Sequence, residues 1–441
     1  MRAPDWKAEA VPQEPVTPSV DEVDARSLYT KTKYVVETAD GWSLVITRYR
    51  PIRQEFSQGL FGEPLLLVHG FSQNRHAWTS GEFVKNLLFF GLDIHILELR
   101  GHGKSSLEFQ RERARRFGRP VPKDLDYDWD IDSYFLYDLP AAVKGVKRIT
   151  RREKIFYCGH SMGGMLAYGY AGIHDDLEGL ITIGSASDLG RGFPLLRAVA
   201  LSTPLFAVAV DLAYGSLNLN TKARRLSSRL VGSRVSRLLR RTGEEVAESA
   251  EQLAEARFRY LPVDAWLKTL ERSLAAAELN PLVGRVLERV NWLSNLDRVS
   301  VDDIRWLLRE GGEREPRGVI EQFARWIRKG ELRCYRTGYD FKRGFSKIRI
   351  PMAIIFGDMD PLASVDSTRS VYRAAKSDYL LWRPVKGNSH IELTMGHDIR
   401  QICYDIKNLI EYAVTHRQRT PSLPRIESHR RKLPPGDLSR R

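Results

Sequence analysis

A serine framed by glycines, Gly159-His160-Ser161-Met162-Gly163 with a further glycine at 164, lies between an apolar strand-like run and an amphipathic helix-like one. A sharp strand-to-helix turn would put Ser161 at its apex. The flanking positions would then approach other backbone too closely for side chains, a need that Gly159 and Gly163 meet. The helix N-terminus would add partial positive charge and the free N–H of Met162, aimed at developing negative charge. This is the chemistry of a hydroxyl attacking a carbonyl, and the plainer alternative is a strand-to-helix turn rich in small residues. A second donor for the resulting oxyanion is expected from the loop after the third strand, His69-Gly70-Phe71-Ser72, through the N–H of Phe71. His69 itself reads as a residue that stabilises that loop.

A serine hydroxyl is a poor nucleophile at neutral pH, so a base must reach it and a carboxylate must orient the base. Of the ten histidines, His95 falls inside a strand, His102 in the loop Arg100–Ser105, His160 inside the serine motif, and His416 and His429 at or beyond the C-terminal end. His390, in Lys386-Gly387-Asn388-Ser389-His390, follows the last strand and is the expected base, with His397 as its competitor. The chain order Ser, Asp, His places the acid before it. Asp360, in Gly357-Asp358-Met359-Asp360-Pro361, is the expected acid, Pro361 favouring extended geometry in the residue before it. Asp358 reads as a turn stabiliser, and Asp188, after the strand ending at Ser185, is a third candidate. Arg100-Gly101-His102-Gly103-Lys104-Ser105 looks like a phosphate loop but lacks the required spacing. These residues call for no metal and no cofactor.

The elements that must hold these side chains can be read along the chain. Residues 31–50 form two β-branched runs around Asp40-Gly41, a hairpin signal. Apolar strands are expected at Pro64–Gly70, Leu92–Leu99, Ile155–His160 and Leu177–Ser185, with helices at about 77–90 and 132–150 and after Ser161. The alternation stops near Ser185 and resumes at Ile350 with a strand to Asp358, a helix, a strand Asp378–Val385 and a helix at about 400–414. Such alternation predicts an α/β fold with a mostly parallel, doubly wound sheet. The chain then divides into a disordered arm (1–27), a core in two parts (28–185 and 349–416), a helical cap inserted after the sixth strand (186–348), and a basic disordered tail (417–441). The insertion is expected over the C-terminal edge of the strands, with no strand of its own.

The motifs HGF at His69, RGHGKS at Arg100, GHSMGG at Gly159, GDMD at Gly357 and SHIE at Ser389 occur in the order of the α/β-hydrolase superfamily, and the chain resembles its serine esterases and lipases. Trp129, the run Tyr137–Ala141 and the segment 320–341 resemble the acid lipase group, whose members hydrolyse neutral lipid esters under a helical cap. The resemblance implies ester hydrolysis through an acyl-enzyme on Ser161, with His390, Asp360, Phe71 and Met162 in support. The departures are a basic segment at Lys222–Arg241, the lack of a secretory signal and the lack of a secreted relative's cysteine pattern. Polyester synthases are similar too, but carry cysteine at the nucleophile position. Acyl transfer to an alcohol is therefore the alternative activity, and a non-catalytic binding protein of the same fold, expected to have lost a triad member, is the third.

Composition agrees with this picture. The 441 residues are 42% hydrophobic and 28% charged, as in a globular protein. The net charge of +14 sits largely in Lys222–Arg241 and after Arg417. Neither stretch carries a nucleic-acid module, so no nucleic-acid partner is expected. The partner is a small-molecule or lipid ester. Cys158, Cys334 and Cys403 are scattered and suit a reducing compartment, so a cytoplasmic location is expected. The first 26 residues lack an apolar signal region. Ala198–Tyr214 is interrupted by Pro204 and Asp211 and falls short of the roughly 20 residues that span a bilayer. Leu195–Val210 reads as cap core or as acyl-chain lining. Arg234, Arg237, Arg240 and Arg241 form a basic helix face, either solvated or laid on an anionic membrane.

Overall fold

The computed structural model describes residues 24–52, 59–191, 259–265, 267–268, 271 and 294–419. Its frame is one eight-stranded sheet. In chain order the elements begin with β1 (Tyr29–Glu37), β2 (Ser43–Pro51) and β3 (Pro64–Val68), then α1 (His76–Thr79), α2 (Phe83–Phe89), β4 (Asp93–Glu98) and α3 (Leu107–Phe117). There follow α4 (Leu139–Thr150), β5 (Ile155–His160), α5 (Met162–Ala171) and β6 (Leu177–Ile183). The insertion contributes β7 (Tyr260–Leu261), α6 (Val301–Glu310), β8 (Glu315–Pro316), α7 (Arg317–Lys329) and α8 (Phe341–Gly344). The core resumes with β9 (Met352–Gly357), α9 (Val365–Ala374), β10 (Leu380–Val385) and α10 (Ile399–Arg419). The sheet order is β1-β2-β4-β3-β5-β6-β9-β10. β1 and β2 enter antiparallel, and every pair from β4 to β10 is parallel.

Successive side chains of the central strands feed two apolar layers. Leu66, Val68, Tyr157, Ile354 and Phe356 join one cluster, whereas Leu65, Leu67, Phe156, Cys158, Ala353 and Ile355 join the other. This period-two division is what a sheet covered by helices on both faces requires. The predicted doubly wound sheet is thus observed.

Three helices depart from the expected pattern. The stretch 77–90 is split into α1 and α2 at Gly81, where an added Cβ would lie 2.9 Å from Met395 Cα; close approach of the chain near His390 interrupts the helix. The stretch 132–150 opens with a turn at Ile131–Ser133 and a π turn at Tyr134–Asp138 before α4. Pro140 has no N–H to continue the ladder, and Leu139 donates to the carbonyl of Tyr134 instead. α3 has no predicted counterpart. It is capped by Ser106, whose Oγ accepts from Phe109 N–H at 3.3 Å, and closed by Gly118 at φ 59°.

Two boundaries also move. The insertion is not purely helical, because β7 and β8 pair antiparallel. α10 runs to Arg419, into the expected tail, with Arg417 held 3.0 Å from Glu63. The apolar stretch Leu195–Val210 and the arginines at 234, 237, 240 and 241 lie outside the described residues, as do residues 1–23 and 420–441. Among the described residues no helix is long and apolar enough to cross a membrane.

Candidate active site

Ser161 stands between β5 and α5 at φ 52° and ψ −119°, a conformation that costs a non-glycine residue strain. Its surroundings enforce it. A Cβ on Gly163 would collide with the Val68 carbonyl, and one on Gly159 with the backbone of Gly163 and Gly164. β3 and α5 can close around the serine only with glycine at both positions.

His390 Nε2 lies 3.0 Å from Ser161 Oγ, and His390 Nδ1 lies 2.7 Å from Asp360 Oδ2. The tautomer that fits donates from Nδ1 to Asp360 and leaves Nε2 to accept the serine proton. Asp360 Oδ1 accepts from Leu362 N–H at 2.8 Å and Ala363 N–H at 3.0 Å, which fixes the carboxylate. Burial opposes charge on His390, but the Asp360 carboxylate outweighs it by charge and hydrogen bond, with Glu392 adding to it, so the ring titrates above its ordinary 6.5. Burial likewise opposes the Asp360 carboxylate, and His390 outweighs it, so that group sits below the ordinary carboxylate range.

Among the described residues none of the competing candidates is hydrogen-bonded to Ser161 or to the His390 ring. Asp358 Oδ1 accepts from Gly387 N–H at 2.7 Å, the turn-stabilising role expected of it. Asp188 pairs with Lys342 and with Arg191. His397 donates its backbone N–H to the Arg298 carbonyl. His95 pairs with Asp93 inside β4.

The loop carrying Phe71 lies against the serine, since a Cβ on Gly70 would be 2.8 Å from Ser161 Cβ. Neither Phe71 N–H nor Met162 N–H has a hydrogen-bond acceptor among the described residues. His69 has the structural role expected. Its Nδ1 is 2.9 Å from the Gly70 carbonyl and its Nε2 accepts from Leu99 N–H at 3.2 Å. Burial, helped by His102, holds it neutral with a pKa of about 3.

Gln73, which the sequence motifs do not single out, ties this loop to the serine motif. Its Oε1 accepts from Gly70 N–H at 2.9 Å and lies 3.0 Å from His160 Nδ1.

The insertion grips both loops. Ser72 Oγ donates to the Glu313 carbonyl and Glu313 N–H returns to Ser72 O at 3.0 Å. Asn74 Nδ2 donates to Glu310 O at 2.8 Å and to Glu313 Oε1 at 2.7 Å, while the same Oε1 accepts from Gly103 N–H at 3.0 Å. On the other side Asn295 Nδ2 donates to Gly387 O at 2.8 Å, and Asn295 N–H reaches Glu392, two residues after His390. Asn74, Asn295, Glu310 and Glu313 belong to none of the motifs. Only their meeting across more than 90 residues gives them a role.

Arg100 and His102 hold the RGHGKS loop from beneath. Arg100 is fully buried against Asp40, Asp124 and Asp138, at 2.7, 2.9 and 2.7 Å. Trp129 packs on Trp42, which donates to Asp124 at 2.7 Å, so the residues resembling acid lipases build this support. His102 Nε2 meets Glu315 Oε2 at 2.8 Å with both side chains buried. Burial opposes the His102 charge, yet Glu315 outweighs it and raises the pKa to about 9. A folded pKa above the unfolded 6.5 makes the pair's stabilisation complete below about pH 6.5 and lost as pH rises through about 9. Urea titrations should show stability falling over that window by up to about 3 kcal/mol. His102→Gln should remove that slope, and an unchanged slope would show that other groups cause it.

Above Ser161 opens a cleft of about 210 Å³, lined by Phe71, Met165, Leu189, Ile320, Phe323 and Ile327 among others. Apart from the serine hydroxyl its side chains are apolar. Ile320, Phe323 and Ile327 share one face of α7 at helical spacing, a pattern visible in the sequence, although it marks core and cavity alike. Among the described residues no group of three or more His, Cys, Asp or Glu side chains is arranged to hold a metal ion.

The sequence profile of one family, described as the alpha/beta hydrolase fold, matches residues 63–391. The chain belongs to the alpha/beta hydrolase fold family. Curated proteins similar to it include ones named as lipases, as the motif resemblance implied. A Schizosaccharomyces pombe protein named probable lipase C14C8.15 is 25% identical over 171 residues, which is 37% of this chain and 35% of that one. The human lysosomal acid lipase/cholesteryl ester hydrolase is 23% identical over 150 residues, 34% of this chain and 37% of that one. The chain thus spans about a third of the length of the curated relatives it matches. Among solved structures, a highly thermostable carboxyl esterase from Bacillus coagulans aligns at TM-score 0.47 and 16% identity over 88% of this chain and 99% of that one. A membrane phospholipase A described as a bacterial virulence factor aligns at TM-score 0.45 and 15% identity, over 88% and 89%.

Proposed function

We propose that this protein hydrolyses carboxylic esters with apolar acyl groups through an acyl-enzyme on Ser161. What carries the reading is the hydrogen-bonded chain Ser161–His390–Asp360 opening into an apolar cleft. His390 takes the hydroxyl proton as Ser161 attacks the ester carbonyl. Asp360 orients the ring and stabilises the imidazolium, and His390 then returns the proton to the leaving alcohol. The N–H groups of Phe71 and Met162 are assigned to the oxyanion, where such donors are worth several kcal/mol in the transition state. Water activated by His390 resolves the acyl-enzyme. An alcohol could do so in its place, and product analysis with added alcohols separates hydrolysis from acyl transfer. The non-catalytic reading is disfavoured because all three triad members are in contact.

The lipase relatives support a lipid ester as substrate, with the acyl chain in the cleft under α7. A cytoplasmic site of action is supported by three buried, unpaired cysteines, whereas the lysosomal name of one relative points elsewhere. The test is a chain-length series of soluble esters with Ile320→Trp. Filling the cleft should lower kcat/KM for octanoyl esters about tenfold or more while acetyl esters stay within about threefold. Equal losses on both would refute the assignment of the cleft to the acyl chain.

A further inference from the structure

A second cavity, of about 280 Å³, is walled by Arg191, Asp366, Arg369, Ser370 and Arg373. Its lining residues differ from those of the acyl cleft but come from the same two chain segments. The segment after β6 gives Leu189 to the cleft and Arg191 to this cavity; the segment after β9 gives Leu362 to the cleft and, at α9, Asp366, Arg369 and Arg373 to this one. Ser364 Oγ donates to the Arg191 carbonyl at 3.4 Å, joining the two segments.

The charges here do not balance. Arg191 lies 3.2 Å from Asp188, but Asp188 is already paired with Lys342 through its other oxygen. Arg369 meets Asp366 only at 3.9 Å, the outer limit of an ion pair. Among the described residues that wall the cavity, three arginines thus face one carboxylate, Asp366. The surplus equals the charge that a phosphate monoester carries near pH 7. Three guanidinium groups from two elements around one hollow also match phosphate geometry, because each presents a planar fork of donors.

We propose that this cavity binds the phosphate of a phosphate-bearing acyl ester whose chain occupies the cleft above Ser161. This rests on the ester-hydrolase reading and adds the headgroup. The Asp366 carboxylate, exposed at the cavity wall, would disfavour a second phosphate and set a limit of one.

The test compares wild type with R369Q/R373Q on short-chain 1-acylglycerol 3-phosphate, on the matching 1-acylglycerol, and on p-nitrophenyl butyrate. Wild type should show a KM for the phosphate ester about tenfold below that for the neutral glycerol ester. The double variant should lose that difference while its p-nitrophenyl butyrate turnover stays unchanged. Added salt should narrow the wild-type difference, since exposed charges are screened over roughly 8 Å at physiological ionic strength. Equal KM values in wild type, or a preference kept by the variant, would overturn the proposal. Calorimetric binding of inorganic phosphate to wild type and not to the variant, without any preference for the phosphate ester, would mean a free-phosphate site and would overturn the substrate assignment. If wild type hydrolyses none of the esters, the ester-hydrolase reading fails instead. Competition between inorganic phosphate and the phosphate ester for binding then decides the cavity separately.

Discussion

Ser161→Ala is expected to lower ester hydrolysis by about five to six orders of magnitude and to abolish labelling by a fluorophosphonate probe. Among the described residues the Ser161 hydroxyl hydrogen-bonds only to His390 Nε2, so its removal takes away the nucleophile and little packing. The melting temperature should therefore change little or rise slightly, because alanine still bears the positive φ but leaves no polar atom at the elbow. Turnover retained within about tenfold of wild type would sink the assignment of Ser161. Labelling and turnover must fail together, since both require the same oxygen.

Asp360→Asn should reduce kcat by about 10⁴, the scale on which loss of the orienting carboxylate misplaces the imidazole tautomer. The amide would present either a donor or a neutral oxygen to His390 Nδ1, and neither stabilises the imidazolium. Asp358→Asn provides the contrast. Its side-chain oxygen can still accept from Gly387 N–H, so kcat should stay within about threefold. The reverse order would transfer the orienting role to Asp358. The same pair of residues sets a pH dependence. His390 acts as a base only when neutral, and Asp360 raises its pKa. The acid limb of kcat/KM in wild type should accordingly lie above pH 6.5, and in the residual activity of Asp360→Asn it should move to lower pH. A limb below 6.5 in the wild type would contradict the ion pair.

The serine site was legible because its constraints are local. Glycines at 159 and 163 answer to backbone collisions within a few residues of Ser161, and the order of Ser161, Asp360 and His390 follows the order of strands. The parallel sheet was legible for a related reason, since strands buried on both faces read as unbroken apolar runs. α3 was legible in principle from its caps, Ser106 and Gly118, but its strongly charged body gives no apolar stripe to follow. The break at Gly81 could not be read, because it depends on Met395, more than 300 residues away. Gln73, Asn74, Glu313 and Glu315 escaped for the same reason. Each is an ordinary polar residue whose significance arises only where distant segments meet. Glu315 in particular owes its buried state to His102, 213 residues earlier.

The grip of the insertion on the two loops bears on how far the catalytic frame could be shortened. Excising residues 186–348 and rejoining β6 to β9 would keep every triad side chain in the sequence. Yet Ser72, Asn74 and the Gly103 N–H would lose their acceptors, and His102 would be left as a buried cation without its carboxylate. Leaving one such partner behind typically costs several kcal/mol, against a total stability of 5–15 kcal/mol for an ordinary domain. The segment is therefore not a detachable accessory laid over a finished enzyme. A truncated chain would need new partners at Ser72, Asn74, His102 and Gly387 before its serine could work, and any relative with a shorter insertion must have found them.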